Sequence, residues 1–344
     1  MRDTVRSPTI ETVAARAGVG RSTVSRVLNG APRVSQSTRA AVERAIADLD
    51  YVPNHAARTL VTHRADTIAL VLTGDEEHLI DPAEFIEFAH GIHQGLLGTA
   101  VSLRLCWARS PAEQAALGHR LAVEQTDGAL LLLPSGDRGS LAALLARRGI
   151  PTVGGQPVRR SRPSNVDEYV VGLDHAAGIR SAVELLRADG RRTIAAIHPP
   201  GEAGRARLDG YRDALRAAGA ELVPALVGVG DPTAEGGFAA TQRLLSQHPG
   251  LDAVIAGSDL MAIGALRALR LAGRQVPSDV AVVGFGDSPV ASSSDPPLTT
   301  IRQPVAEFGH QMARLLLARI NGDATAPTSV VLATHVVRRK SAGA

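Results

Sequence analysis

Thr9-Ile-Glu-Thr-Val-Ala-Ala-Arg-Ala-Gly-Val-Gly-Arg-Ser-Thr-Val-Ser-Arg-Val-Leu-Asn29 decides how the N-terminal part of this 344-residue chain folds. Thr9 can cap a helix that begins at Ile10, Glu11 suits its positive first turn, and Gly18 can take the left-handed conformation that ends it at about Ala17. After the tight Gly18-Val19-Gly20 connection, Val24, Val27 and Leu28 recur at helical spacing. They predict a second helix from about Arg21 to Asn29, with Arg21, Ser22, Ser25 and Arg26 on or near its outer face. A third helix starts after Ser35, carries the apolar stripe Val42, Ile46 and Leu49, and must end before Pro53. Three short helices on a tiny core follow the helix-turn-helix plan; a generic three-helix packing module is the plainer alternative.

Charge singles out the same piece. From Met1 to Arg64 there are ten arginines against five acids, a balance of +5 within a chain whose net charge is only +3. The remainder is slightly acidic, so the positive field belongs to the segment that would meet a polyanion, although a basic surface also serves mere solubility. With 44% apolar residues the chain has material for at least two buried cores. No stretch approaches the roughly 18 apolar residues of a membrane span, and Met1 to Pro8 lacks the apolar core of a signal peptide. The single cysteine, Cys106, fits a reducing compartment and reads as a buried packing residue. A cytoplasmic chain is expected.

From Asp66 onward short apolar runs alternate with longer helical stretches. Thr67 to Leu72, Gly128 to Leu133, Thr193 to Ile197, Ala253 to Ala256 and Val280 to Phe285 read as strands buried on both faces. His175 to Ala188, Leu260 to Ala272 and Val305 to Ile320 read as helices. This alternation implies parallel sheets covered by helices, with enough residues for two lobes, and ligands in such folds bind where strand C-termini face a crevice.

The opening segment, with Arg33-Val-Ser-Gln-Ser-Thr38 and Leu49-Asp-Tyr-Val-Pro-Asn54, strongly resembles the DNA-binding signature of the lac repressor family. The resemblance implies an all-α helix-turn-helix domain over residues 1–64, ending in a hinge helix at about 54–62. A two-lobed, periplasmic-binding-protein-like α/β body with parallel sheets would occupy residues 65–344. It places Arg21, Ser22 and Arg26 at base edges in the major groove. Thr9, Thr23, Ser25, Asn29, Ser35, Thr38, Tyr51 and Asn54 fall at positions that touch the DNA backbone. Asn54-His-Ala-Ala-Arg-Thr-Leu60 resembles the family's hinge, too short to be stable alone and expected to form only on DNA beside a partner hinge. There Leu60 would wedge between base pairs from the minor groove, with Ala57 and Arg58 along it. An ordinary exposed linker is the alternative. Paired hinges imply a homodimer on a pseudo-palindromic operator.

In the body, Arg205-Ala-Arg-Leu-Asp-Gly-Tyr-Arg212 puts Arg207 at the family's usual effector-binding arginine, whose fork of donors suits vicinal hydroxyls or a carboxylate. Ser258 and Asp259, Asp174 ahead of Gly178, and Asp287 match other pocket positions. Two departures stand out. The family usually has two acids after Val-Gly-Phe, and this chain has Gly286 before Asp287; where an aromatic often stacks on the effector, Pro232 follows Gly230-Asp231. The pocket would then draw on Asp287, Trp107 or the 73–78 loop.

Enzyme signatures are missing: there is no Walker loop, no G-x-S-x-G elbow and no H-E-x-x-H, and Gly18-x-Gly20 follows a helix rather than a strand. His90 and His93, three apart on a predicted helix, could share a metal but read rather as surface or packing residues, and Glu76 and Glu77 as loop charges or pocket acceptors. No metal, cofactor or catalytic residue is expected. The reading is a sequence-specific repressor of carbohydrate-utilisation genes, released from operator DNA by a small mono- or disaccharide. The alternatives are a corepressed regulator with a non-sugar effector, or a sugar-binding or sugar-processing protein. With no heptad repeat after Arg338, a dimer is favoured over a coiled-coil tetramer.

Overall fold

The computed structural model describes residues 8–28, 33–51, 64–72, 82–132, 135–157 and 169–343. It comprises two compact units, Met1–Ala65 and Asp66–Ala344.

The first unit holds α1 (Ile10–Ala17), α2 (Arg21–Leu28) and α3 (Gln36–Asp48). Thr9 caps α1 in a reciprocal box with Thr12, and Gly18, at φ 67°, ends it as its sequence suggests. Ser35 caps α3. Val13, Ala14, Val24, Val27, Val42, Ala45 and Tyr51 form the core. A cluster this small fixes three helices because each contributes two of its members.

In the second unit the strands predicted as continuous apolar runs are central members of two six-stranded sheets. The first sheet has β1 (Thr67–Leu72), β2 (Ser102–Trp107), β3 (Gly128–Leu132), β4 (Thr152–Pro157), β5 (Tyr169–Asp174) and β11 (Ser329–Ala333), in the order β11-β5-β4-β3-β1-β2. The second has β6 (Ile194–His198), β7 (Val227–Val229), β8 (Ala253–Ala256), β9 (Ala281–Gly286), β10 (Thr299–Arg302) and β12 (His335–Val337), in the order β12-β10-β9-β8-β6-β7. Every pairing is parallel except β10 with β12. Parallel sheets need helices on both faces, which is why β1, β3, β8 and β9 are buried along nearly their whole length.

In the first lobe α4 (Pro82–Leu96) and α12 (Val305–Ile320) cover one face, joined by Phe88 against Phe308 at 5.4 Å. The other face packs residues of α5 (Pro111–Val123) and α6 (Ser135–Arg147), with Cys106 buried among them. In the second lobe α7 (His175–Ala188) and α8 (Gly201–Ala217) cover one face, α9 (Ala234–Gln247) and α10 (Asp259–Leu271) the other; α11 (Pro289–Ser293) follows β9. The chain passes between lobes three times, after β5, after β10 and between β11 and β12. Each crossing carries a buried polar residue: His175, Gln303 and Thr334 are 4%, 8% and 7% exposed.

Candidate functional site

On the first unit, burial of Val24 and Val27 turns the opposite face of α2 outward, leaving Arg21, Ser22 and Arg26 exposed and Thr23 and Ser25 half-buried. Arg21 Nη1 lies 3.1 Å from Glu11 Oε1, both side chains largely in water, so the pair is weak and exchangeable. The Glu11 carboxyl is held below its usual range chiefly by a backbone N–H, with Thr9 and Arg21 adding to the effect. Thr9 Oγ1 accepts from the Thr12 amide and Ser35 Oγ from the Thr38 amide, with Ser35 and Thr38 hydroxyls 2.8 Å apart. These hydroxyls sit at the N-termini of α1 and α3, where unpaired amides favour anions such as phosphate. Tyr51, expected on the DNA backbone, is 9% exposed, its ring closing the three-helix core. Asn29, Asn54, Ala57, Arg58 and Leu60, with the hinge at 54–62, lie outside the described residues, as does the 73–78 loop with Glu76 and Glu77.

On the second unit, polar groups gather at the C-terminal ends of β6, β8 and β9. Gly210 lets α8 approach so closely that a Cβ there would meet the Ala176 backbone at 2.6 Å, and this brings the start of α7 against Arg207. The Arg207 guanidinium lies 4.1 Å from the Phe285 ring centroid and donates from Nη1 to the Gly257 carbonyl at 2.6 Å. Burial lowers its pKa to about 10, opposed by Glu84 and Asp259. His175 stands edge-on to the same ring at 5.1 Å, both ring nitrogens buried and the Gln303 side chain acting on them. Burial first, then the charge of Arg207, holds this imidazole well below its ordinary pKa, so it is neutral at pH 7.

Several expected pocket residues have structural tasks. Asp174 Oδ1 accepts from the Ala177 amide at 2.9 Å and caps α7; Ser258 Oγ accepts from the Met261 amide at 3.1 Å and caps α10. Asp259 and Asp287, expected at the effector, both have partners within the protein. Asp259 is 2% exposed, and its oxygens accept from Thr300 Oγ1 at 2.5 Å, Ser288 N at 2.7 Å and Ser288 Oγ at 3.0 Å, clasping α10 to β10 and the turn after β9. Burial nevertheless raises its pKa, the three donors pulling the other way. The Asp287 side chain, 2% exposed, is paired with Arg302 and Arg339, on a backbone with φ of 62°. Trp107 ends β2 at the sheet edge, 45% exposed. His90 and His93 are exposed.

Three residues of this cluster were not singled out from sequence: Glu84, His175 and Gln303. Glu84, in the first turn of α4, accepts from Gln303 Nε2 at 3.2 Å. Close packing of α4 on α12 brings them together, since a Cβ on Gly309 would run into the Phe88 carbonyl. His175 had one sequence signal, its place directly after Asp174 at the lobe crossover; a lone glutamate in a helix's first turn has none.

A basic helix-turn-helix reader followed by a two-lobed parallel α/β body defines a DNA-binding regulator with a ligand-binding-type body. Residues 9–54 match the model of bacterial regulatory proteins of the lacI family, and residues 183–342 that of a periplasmic binding protein-like domain. The chain is 47% identical to the HTH-type transcriptional regulator CelR of Thermobifida fusca, over 98% of each sequence. It is 32% identical to the ribose operon repressor of Escherichia coli K12, over 97% of this chain and 99% of that one. Among solved structures, a CelR–cellobiose complex superposes with TM-score 0.73 at 44% identity, covering 97% of this chain and 99% of that one. A lac repressor dimer bound to operator and an anti-inducer gives TM-score 0.81 at 28% identity, covering 98% and 100%. The chain belongs to the lac repressor family of transcriptional regulators. No helix among the described residues is long and apolar enough to cross a membrane.

Proposed function

We propose that this regulator is a homodimeric repressor of carbohydrate-utilisation genes, working in the cytoplasm on a pseudo-palindromic operator and released by a neutral mono- or disaccharide. Residues 1–64 read DNA, with Arg21, Ser22 and Arg26 at base edges and the hydroxyls of Thr9, Thr23, Ser25, Ser35 and Thr38 at phosphates. Residues 65–344 bind the effector. The observation that carries this reading is Arg207: a guanidinium pinned on Phe285 at the strand ends, with Nη1 on the Gly257 carbonyl. A planar donor fork fixed on an aromatic face suits vicinal hydroxyls of a sugar ring. The cellobiose complex of the 44%-identical CelR structure makes a β-linked disaccharide the first effector to try. Nothing in the cluster supplies a nucleophile with a base, and the chain is read as a binding protein rather than an enzyme.

Fluorescence anisotropy of labelled DNA from upstream of its own gene, titrated with protein at fixed salt and then with a panel of sugars including cellobiose, tests this. Specific binding reversed by a neutral sugar is expected. Arg207→Ala should retain operator affinity and lose the response; an unchanged response would remove Arg207 from the site. A sugar that tightens binding would turn the repressor into a corepressed one.

A further inference from the structure

Gly286, the last residue of β9, is buried and has a φ of 128°, where side chains are strained. An ideal Cβ at this position would stand 2.7 Å from Glu84 Oε1 and 3.4 Å from Asp259 Oδ2. The glycine therefore leaves the space into which a carboxylate from the other lobe reaches. Glu84 is held there by the Gln303 amide and helps to stabilise the positive charge of Arg207. Asp259 is bonded to Thr300 and Ser288, and Asp287 is paired with Arg302 and Arg339.

Resting on the effector-binding role given to this crevice, we propose that Glu84 supplies across the lobes the acceptor for ligand hydroxyls that the β9 turn does not. The juxtaposition of its charge with Arg207 makes the site select neutral, hydroxylated ligands over anionic ones. A carboxylate takes two or more hydroxyl donors, which an apolar or cationic group cannot. An incoming phosphate or carboxylate finds Arg207 already answered by Glu84 and Asp259. His175, buried and neutral beside Arg207, adds no second positive charge to the site.

Two measurements on the full-length protein test this. In operator release, cellobiose is compared with cellobiose 6-phosphate for the wild type, E84Q and E84A. The wild type should prefer the neutral sugar. E84Q should weaken cellobiose by about tenfold, the loss of charge-assisted bonds, while cellobiose 6-phosphate gains or holds. Release of the wild type by the phosphate form alone, or an E84Q protein indistinguishable from wild type with cellobiose, overturns the proposal.

The second measurement uses no ligand: thermal unfolding of G286D, E84Q and the double variant. G286D pays backbone strain in either background, so the cycle isolates the encounter with Glu84. E84Q should recover part of the G286D loss; strict additivity would mean that Glu84 does not hold that space. Release by neither sugar would sink the sugar reading and with it the ligand role of Glu84, whereas the unfolding cycle would still decide its place.

Discussion

Removing the Asp259 carboxylate separates framework from ligand contact. In Asp259→Ala, Thr300 Oγ1, Ser288 N and Ser288 Oγ lose their acceptor. A hydrogen bond to a charged acceptor nets about 1.5–3 kcal/mol, and buried donors left unmet cost a similar amount. Thr300 is fully buried, whereas Ser288 is half-buried and regains water, and the raised pKa of Asp259 shows that burying its charge offsets part of the gain. The net loss is about 3 kcal/mol. For a body of about 280 residues, unfolding entropy converts that to a Tm lower by about 5 °C.

Asp259→Asn should behave differently. Because the folded pKa is raised above the unfolded value, ionisation costs stability at neutral pH, and the amide relieves that cost. Its oxygen can still accept from Ser288 while the Thr300 hydroxyl rotates to accept from its NH2. The loss should stay under about 1.5 kcal/mol, about 2–3 °C. Differential scanning calorimetry gives the Tm values, and operator release gives the sugar midpoint, expected within about twofold of wild type for Asp259→Asn. An Asp259→Asn protein that unfolds like wild type yet loses its sugar response would refute the assignment of Asp259 to the framework.

Two further outcomes follow from burial. The folded pKa of His175 lies below the unfolded value of about 6.5, so below that pH the unfolded chain binds a proton that the folded chain refuses. Stability should fall as pH drops from 6.5 toward 5, by up to about 1.4 kcal/mol per pH unit from this group; His175→Asn should show a shallower decline in Tm, and an identical slope would count against the buried neutral imidazole. In the first unit, Val24→Ala removes two methyl groups from a fully buried site and should cost about 2 kcal/mol of that unit's small stability. Operator affinity should drop severalfold while the Tm of the body stays put; undiminished affinity at 37 °C would show that the seven-residue core is not limiting.

The elements were legible because periodicity and caps agree. Thr9, Gly18 and Ser35 mark the helix ends that α1 and α3 show, and the apolar runs at Thr67 and Ala253 begin and end where β1 and β8 do. Elsewhere the shifts are of a residue: β6 and β9 start one position later than predicted, and α10 begins at Asp259 because Ser258 is its cap. The site was less legible for a related reason. A polar residue just after a strand is what a helix cap needs and also what a ligand needs, so Asp174 and Ser258 satisfy both patterns in sequence. Asp259 and Asp287 look like a pocket's acids until packing shows their donors, Thr300 and Ser288 for one, Arg302 and Arg339 for the other. Those partners lie 15 to 52 residues away in the chain, beyond the reach of local pattern.

The placement of Glu84 bears on how binding can be made to matter. A ligand held by Arg207 and Ser258 alone would touch only residues of the second lobe. It would bind equally well whatever the lobe arrangement, and a ligand of equal affinity for two states shifts neither. Glu84 belongs to the first lobe and meets Gln303 at one crossing, while Thr334 at another donates to the Asp174 carbonyl beside the third. On the effector role proposed for both residues, a hydroxyl shared between Arg207 and Glu84 would be bonded fully in one lobe arrangement and only half in another. That difference, one or two charge-assisted hydrogen bonds, is about 1.5–3 kcal/mol or more, the size of coupling that distinguishes a regulator from a passive sugar binder. Gly286 keeps this approach open, since any side chain there would stand in the way of Glu84.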